Sequence, residues 1–226
     1  EYAEWLKVQL KSRNIETLVI AGDFFHDRSK ITLPTLDVGH KFLDILNEFD
    51  IYIGSGNHVS YHLDNSTVTS LSMFKNRNNV TVVDDKIQHF GKFSIMPWGT
   101  KMEDIPANMN ILFCHIDAVS FEMSKGKIST HGFKVSELMT KAPLVMSGHF
   151  HKRQHRIYNG RSFYYVGSPM QLTFGESGDK KYFHIVDLDT LEVQQIENTA
   201  SPKFKYVRSD RDLTDIKGNF ISVVSD

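Results

Sequence analysis

Residues 147–152, SGHFHK, set two imidazoles, His149 and His151, on alternate positions behind a Ser-Gly pair. The apolar run before them, APLVM, predicts a short buried strand. Three other strand-like runs end in the same manner. ETLVIAGDFFHD delivers Asp23 and His26, DIYIGSGNH delivers Asn57 and His58, and NILFCHID delivers His115. In open α/β sheets, ligand sites form outside the carboxyl ends of strands. Gly22, Gly56 and Gly148 stand before three of the four, which permits sharp exits and close backbone approach. Singly these residues mean little: Asp23 reads as a turn cap, Asn57 as a turn residue and His115 as a satisfied core histidine. Together they read as a metal centre. A carboxylate bridges two cations about 3.5–4 Å apart in two-metal hydrolytic sites. A mixed Asp, Asn and His set suits Mn²⁺, Fe²⁺ or Zn²⁺ better than Ca²⁺.

The elements that would carry these ends alternate in the first third. Tyr2, Trp5, Leu6 and Leu10 recur at helical spacing, then comes a strand over 16–23. A helix over 34–49 follows, with Pro34 in its first turn, then a strand over 50–58, a helix over roughly 65–76 and the strand NVTVVDD. That order predicts a parallel sheet covered by helices. After residue 87 the texture becomes strands joined by turns such as Asn159-Gly160 and Asp187–Thr190, which suggests a second, more antiparallel sheet. The expected fold is α/β: two packed mixed β-sheets, a sandwich flanked by helices. Residues 1–200 read as one domain, and 201–226 as the start of another.

Composition narrows the class. A chain of 226 residues buries a substantial core without staples. No apolar run reaches the roughly 18–20 residues of a membrane span, so no membrane partner is expected. The charged first residues carry no signal-peptide core, and the location expected is cytoplasmic. Cys114, the single cysteine, excludes a disulfide-built fold and reads as a packed core thiol. The net charge of −1 is not the basic excess of a passive DNA coat. Eleven histidines favour metal.

GDFFHD, GNH, CH and GHFH, in this order, resemble the calcineurin-like metallophosphoesterases. More narrowly, with IMPWG (95–99) and YVGSPMQLTFGE (165–176), the chain is similar to the nuclease subunit of the Mre/Rad and SbcCD double-strand-break complexes, especially its bacteriophage branch. The resemblance covers roughly residues 1–200. It implies a dinuclear site, Mn²⁺ first, with Mg²⁺, Fe²⁺ or Zn²⁺ as alternatives. Asp23 would bridge, Asn57, His115 and His149 would complete one metal, and His151 would serve the other. His149 and His151 would thus face different metals, with Gly148 letting the backbone turn beneath them. His58 would act as acid or positioning group at the scissile phosphate, with His26 beside it. The implied activity is exo- or endonucleolytic hydrolysis of DNA in recombination or break repair. The implied partners are DNA, an ABC ATPase of the Rad/SbcC type and a second copy of the chain, its dimer surface drawn from the helices over 34–49 and 65–76. The last unit would begin a DNA-binding capping domain.

Two departures stand out. No Asp-x-His precedes residue 16, although the family opens with one, so a chain cut at both ends is expected. Val59 replaces the usual Asp after Gly-Asn-His. Basic residues follow the ligands: Lys152, Arg153, His155 and Arg156, and Lys125, Lys127 and His131 in SFEMSKGKISTHG. They read either as a rim for a phosphodiester backbone or as solvated surface. The competing functions are a phosphomonoesterase or small-molecule phosphodiesterase on the same scaffold, and a non-catalytic DNA-binding subunit.

Overall fold

The computed structural model describes residues 1–27, 30–58, 69–208 and 216–224. The elements run α1 (Tyr2–Lys11), β1 (Thr17–Ile20), α2 (Leu33–Ile45), β2 (Asp50–Gly54), β3 (Val80–Val83), β4 (Gln88–Phe90), β5 (Phe93–Ile95), β6 (Ile111–His115), β7 (Glu122–Ser124), β8 (Lys127–Ile128), α3 (Val135–Leu138), β9 (Leu144–Gly148), β10 (Gln154–Tyr158), β11 (Arg161–Tyr165), β12 (Tyr182–Val186), β13 (Val193–Glu197), β14 (Phe204–Arg208) and β15 (Phe220–Val224).

β1, β2 and β3 form a wholly parallel sheet. A second sheet has the order β10-β11-β9-β6-β5-β4. Its four central strands are parallel, and only the edges β4 and β10 run antiparallel. The expected antiparallel texture is therefore confined to two edge hairpins. The long connection from β6 to β9, which carries β7, β8 and α3, makes the crossover that parallel neighbours need.

Alternate side chains divide between faces, as strand geometry requires. Phe113, Met146 and Tyr164 join Tyr52 and Phe93 between the two sheets. Tyr52 meets Phe90 and Phe93 at 4.7 and 5.2 Å. Leu112, Cys114, Val145 and Phe163 face outward onto α3 and Phe121. Ile51 and Ile53 face the helices through Leu6, Leu10, Leu43 and Leu46. Cys114 is 2% exposed, and burial pushes its thiol up to about 12, so it is the inert core residue expected.

α2 is shorter than its apolar pattern. It starts on Thr32, whose Oγ1 accepts from the Thr35 amide, and Pro34 lies in its first turn. It stops at Ile45, although Leu46 and Phe49 stay buried because the following turn folds back onto the same core. The expected helix over 65–76 is a 3-10 turn, Ser70–Phe74, among the described residues. Leu71 and Phe74, three apart, suit that tighter period. Residues 65–68 of that expectation, Val68 among them, lie outside the described residues, as does Val59. Asn159 and Gly160 both adopt positive φ and turn β10 into β11 as expected. β12 and β13 make a separate hairpin, and its turn is held by Asp187, which accepts from the amides of Asp189 and Thr190. β14 and β15 form a further parallel ladder after Ser201. No helix among the described residues is long and apolar enough to cross a membrane.

Candidate metal centre

Parallel pairing brings the ends of β6 and β9 level, with His115 opposite Gly148, so His149 emerges beside His115. Asp23 follows β1 and Asn57 follows β2 in the facing sheet. The four side chains converge. His115 Nε2 lies 3.1 Å from Asp23 Oδ2, 3.1 Å from Asn57 Oδ1 and 3.2 Å from His149 Nδ1. His149 Nδ1 lies 3.0 Å from Asn57 Oδ1. Asp23, His115 and His149 each offer a ligand atom within 4.8 Å of the others.

The outer partners fix the tautomers. His115 Nδ1–H donates to the Ala21 carbonyl at 2.8 Å, and His149 Nε2–H donates to Asp117 Oδ1 at 2.9 Å. The neutral rings then turn bare lone pairs on each other, on Asn57 Oδ1 and on the Asp23 carboxylate. Four acceptors at 3.0–3.2 Å are stable only around positive charge, a proton or a cation. Ligands about 2.0–2.2 Å from a first-row metal and at right angles sit about 3 Å apart. The donor set therefore fits a divalent transition metal. Burial disfavours the Asp23 carboxylate, but a proton held at His115 Nε2 in the absence of a cation, and the His58 amide, outweigh this and lower its pKa. The bond from His149, against the opposing effect of burial, lowers that of Asp117.

Local backbone builds the cluster at a cost. Asp23 has φ 47° and His149 φ 93°, conformations that L residues rarely adopt and that concentrate at functional sites. A methyl group at Gly56 would meet Asp23 Oδ1 at 2.2 Å, and one at Gly148 would meet the Ala21 carbonyl oxygen at 2.0 Å. Gly148 thus serves close approach between the sheets, while the positive φ falls on His149 itself. Trp98 walls the cluster, its ring 5.8 Å from His115 and 5.3 Å from His149.

His58 donates its amide to Asp23 Oδ1 at 3.0 Å, and its ring stacks on that of His26 at 5.0 Å. His151 is not in the cluster: its Nδ1 lies 2.9 Å from Glu176 Oε1. Of the basic rim, His131 lies 3.9 Å from Asp117. Lys152 pairs with Glu122, and Arg156 donates to the Ser120 carbonyl while covering the Phe121 ring at 4.0 Å. Both hold the β7–β8 hairpin against β10. Arg153 lies over Tyr182, and Lys125, Lys127 and His155 are exposed.

Sequence reasoning missed Asp117, Glu176 and Lys181. Asp117 stands two residues past His115, and the signal available was the CHID tetrapeptide itself. Glu176 and Lys181 ended or followed a quoted motif without being given a role.

No family model matches the chain. It is 25% identical over 245 residues to the putative phosphoesterase 078R of Invertebrate iridescent virus 3, across 93% of this chain and 68% of that one. It is 28% identical over 208 residues to exonuclease subunit 1 of Enterobacteria phage T4, across 84% of this chain and 58% of the phage protein. The fold is similar to that of TT1561 of Thermus thermophilus, with a TM-score of 0.51 at 10% identity, over 87% and 92% of the two chains.

Proposed function

We propose that this chain, a metallophosphoesterase-type hydrolase, cleaves phosphodiester bonds of DNA in recombination or break processing. The observation that carries the chemistry is the set of lone pairs from Asp23, Asn57, His115 and His149, closed to 3.0–3.2 Å beside His58. The likeness to a phage exonuclease subunit supports the DNA substrate.

Asp23, Asn57, His115 and His149 would hold a divalent metal, with Mn²⁺ the first choice, and His151 would serve a second. When bound, such a metal polarises a phosphoryl oxygen and lowers the pKa of a water. The chain's own contribution is positional. Ala21 and Asp117 keep two imidazoles in the ligating tautomer, so no reorganisation is needed on binding. Trp98 covers the two rings on one side and restricts water. His58, anchored by its own amide to Asp23, presents its imidazole next to the centre. There it moves a proton at the leaving oxygen. His26 stacks on that ring and limits its rotation.

The word "subunit" in the phage relative's name supports a complex, in which we place an ABC ATPase of the Rad/SbcC type. A second copy of the chain would dock on the helical face, where Leu33, Val38 and Met73 are 80%, 65% and 42% exposed. Residues from 201 onward would begin the DNA-binding cap.

The test is hydrolysis with Mn²⁺ of linear duplex DNA, bis-nitrophenyl phosphate and nitrophenyl phosphate. Turnover of DNA and of the diester is expected. Turnover of the monoester alone would replace the nuclease reading with a phosphomonoesterase, and no turnover of any substrate would leave a DNA-binding subunit.

A further inference from the structure

A second histidine device lies behind the GHFH loop, and it rests on Glu176 and Lys181, to which the reading above gives no part. His151 Nδ1 lies 2.9 Å from Glu176 Oε1. Glu176 Oε2 pairs with Lys181 Nζ at 2.7 Å. Lys181 is 5% exposed, and an ammonium so buried is tolerated only when its donors are matched. Its three donors are matched: Glu176 Oε2, the His151 carbonyl at 3.0 Å and Ser168 Oγ at 2.9 Å. The Ser168 amide also donates to the His151 carbonyl at 3.1 Å. Gly167, at φ 77°, lets this happen, since a methyl group there would lie 2.9 Å from that carbonyl oxygen.

So one buried cation grips both the backbone of His151 and the carboxylate that grips its ring. Glu176 is thus held between two donors, the His151 ring on Oε1 and the Lys181 ammonium on Oε2. A carboxylate is acceptor-only, so the His151 proton must sit on Nδ1. The Nε2 lone pair is then bare and faces away from Glu176.

We propose that Glu176, held by Lys181, is a positioning residue that fixes His151 as the Nδ1–H tautomer and so keeps Nε2 free as a ligand for a second metal. This rests on the hydrolase reading above and adds to it a role for the 167–181 segment. The imidazoles of His115, His149 and His151 then share one design. Ala21, Asp117 and Glu176 each take a proton from one ring nitrogen and free the other.

The substitution that discriminates is Glu176→Gln. A glutamine has one acceptor oxygen and one amide nitrogen. Lys181, whose ammonium can only donate, claims the oxygen. The amide then donates to His151 Nδ1 and drives the ring proton to Nε2, blocking the ligating lone pair. Nitrogen-15 correlation spectra of metal-free protein should show His151 as Nδ1–H in the parent and Nε2–H in Glu176→Gln. With Mn²⁺, kcat on the diester should fall about 10–100-fold with KM little changed. Glu176→Ala should give the tautomer mixture of a free imidazole and a smaller loss. If it unfolds, Glu176→Gln, which keeps shape and volume, carries the test alone.

An Nε2–H parent overturns the proposal, and so does an Nδ1–H signal unchanged in Glu176→Gln. If the tautomers behave as stated but the parent hydrolyses no phosphate ester, the hydrolase reading falls and the assignment of Glu176 to His151 stands.

Discussion

His115 Nε2 and His149 Nδ1 stand 3.2 Å apart, and each ring has committed its proton to the opposite side, to Ala21 and to Asp117. Two lone pairs held face to face cost free energy unless a positive charge lies between them. Protons and metal therefore compete for one place. We expect Mn²⁺ to raise the thermal midpoint, with about 2.7 kcal/mol of stabilisation at a hundred times its dissociation constant. Calorimetry in two buffers should show proton release that grows as the pH is lowered. His149→Ala should abolish most of the shift. A midpoint indifferent to metal in the parent protein would overturn the assignment.

Asp117 is the second test of the same geometry. Asp117→Asn keeps the size but can turn an amide donor toward His149 Nε2, which moves the ring proton onto the ligating Nδ1. Metal affinity should fall about 10–100-fold, with the fold retained, as read by titration calorimetry. An unchanged affinity would mean that His149 is oriented by packing against Trp98 and Phe150 alone.

His58 joins the centre through its main chain. His58→Ala leaves the amide that Asp23 accepts, so metal binding should survive. Hydrolysis should drop by about 10²–10⁴-fold, the usual share of a general acid or base. Near-normal turnover in that variant removes His58 from the chemistry.

Gly148 and Gly56 separate stability from function. A methyl group at 148 strikes a carbonyl oxygen of the facing sheet, and neither backbone can yield cheaply. Gly148→Ala should cost roughly 1–3 kcal/mol in urea unfolding. At 56 the methyl meets both the Asp23 carboxylate at 2.2 Å and the Asp23 backbone nitrogen at 2.6 Å, so a ligand is displaced together with its main chain. Gly56→Ala should therefore cost stability too, and lose metal affinity beyond what Gly148→Ala loses. Equal effects on both quantities in both variants would refute the distinction.

The strand ends were legible because chemistry and periodicity coincide there. A buried run and a ligand type recur at Asp23, Asn57, His115 and His149, with a glycine close before all but His115, and the fold joins those four. His151 is the candidate ligand whose surroundings no local pattern foretold. It lies two residues from His149 in an extended-looking motif, but the positive φ at His149 breaks the alternation and sends the next histidine toward Glu176. No local pattern tells that a lysine at 181 will be buried, since that depends on three acceptors assembled from distant turns. The surroundings of the basic rim were hidden for the same reason. The sequence does not tell that Lys152 meets the Glu122 carboxylate and Arg156 the Phe121 ring at the start of the β7–β8 hairpin. The parallel core of the second sheet was hidden because strands buried on both faces show no alternation.

His184, on β12, supplies a pH dependence remote from the metal centre. Its Nε2 atom is buried without a partner among the described residues. Burial, and then the Arg153 charge, lower its pKa to about 4. The unfolded value is about 6.5, so between these limits the unfolded chain binds the extra proton. Stability contributed by neutral His184 is thus complete above about 6.5 and is lost as the pH falls through about 4. Glu176, lowered from about 4.5 to about 2, begins to lose its own contribution only at the acid edge of this window, so the parent slope near pH 4.5 includes it and the comparison with a His184 variant isolates the histidine. His155, stacked on Tyr164 at 3.9 Å, shifts in the same direction from burial and from Arg153, so the parent slope is shared. Urea unfolding at pH 7 and pH 4.5 should show the parent weaker at the lower pH, and His184→Leu should reduce that difference while raising stability at pH 4.5. A parent and variant with the same pH slope would show that His184 takes up its proton in the fold as easily as in the open chain.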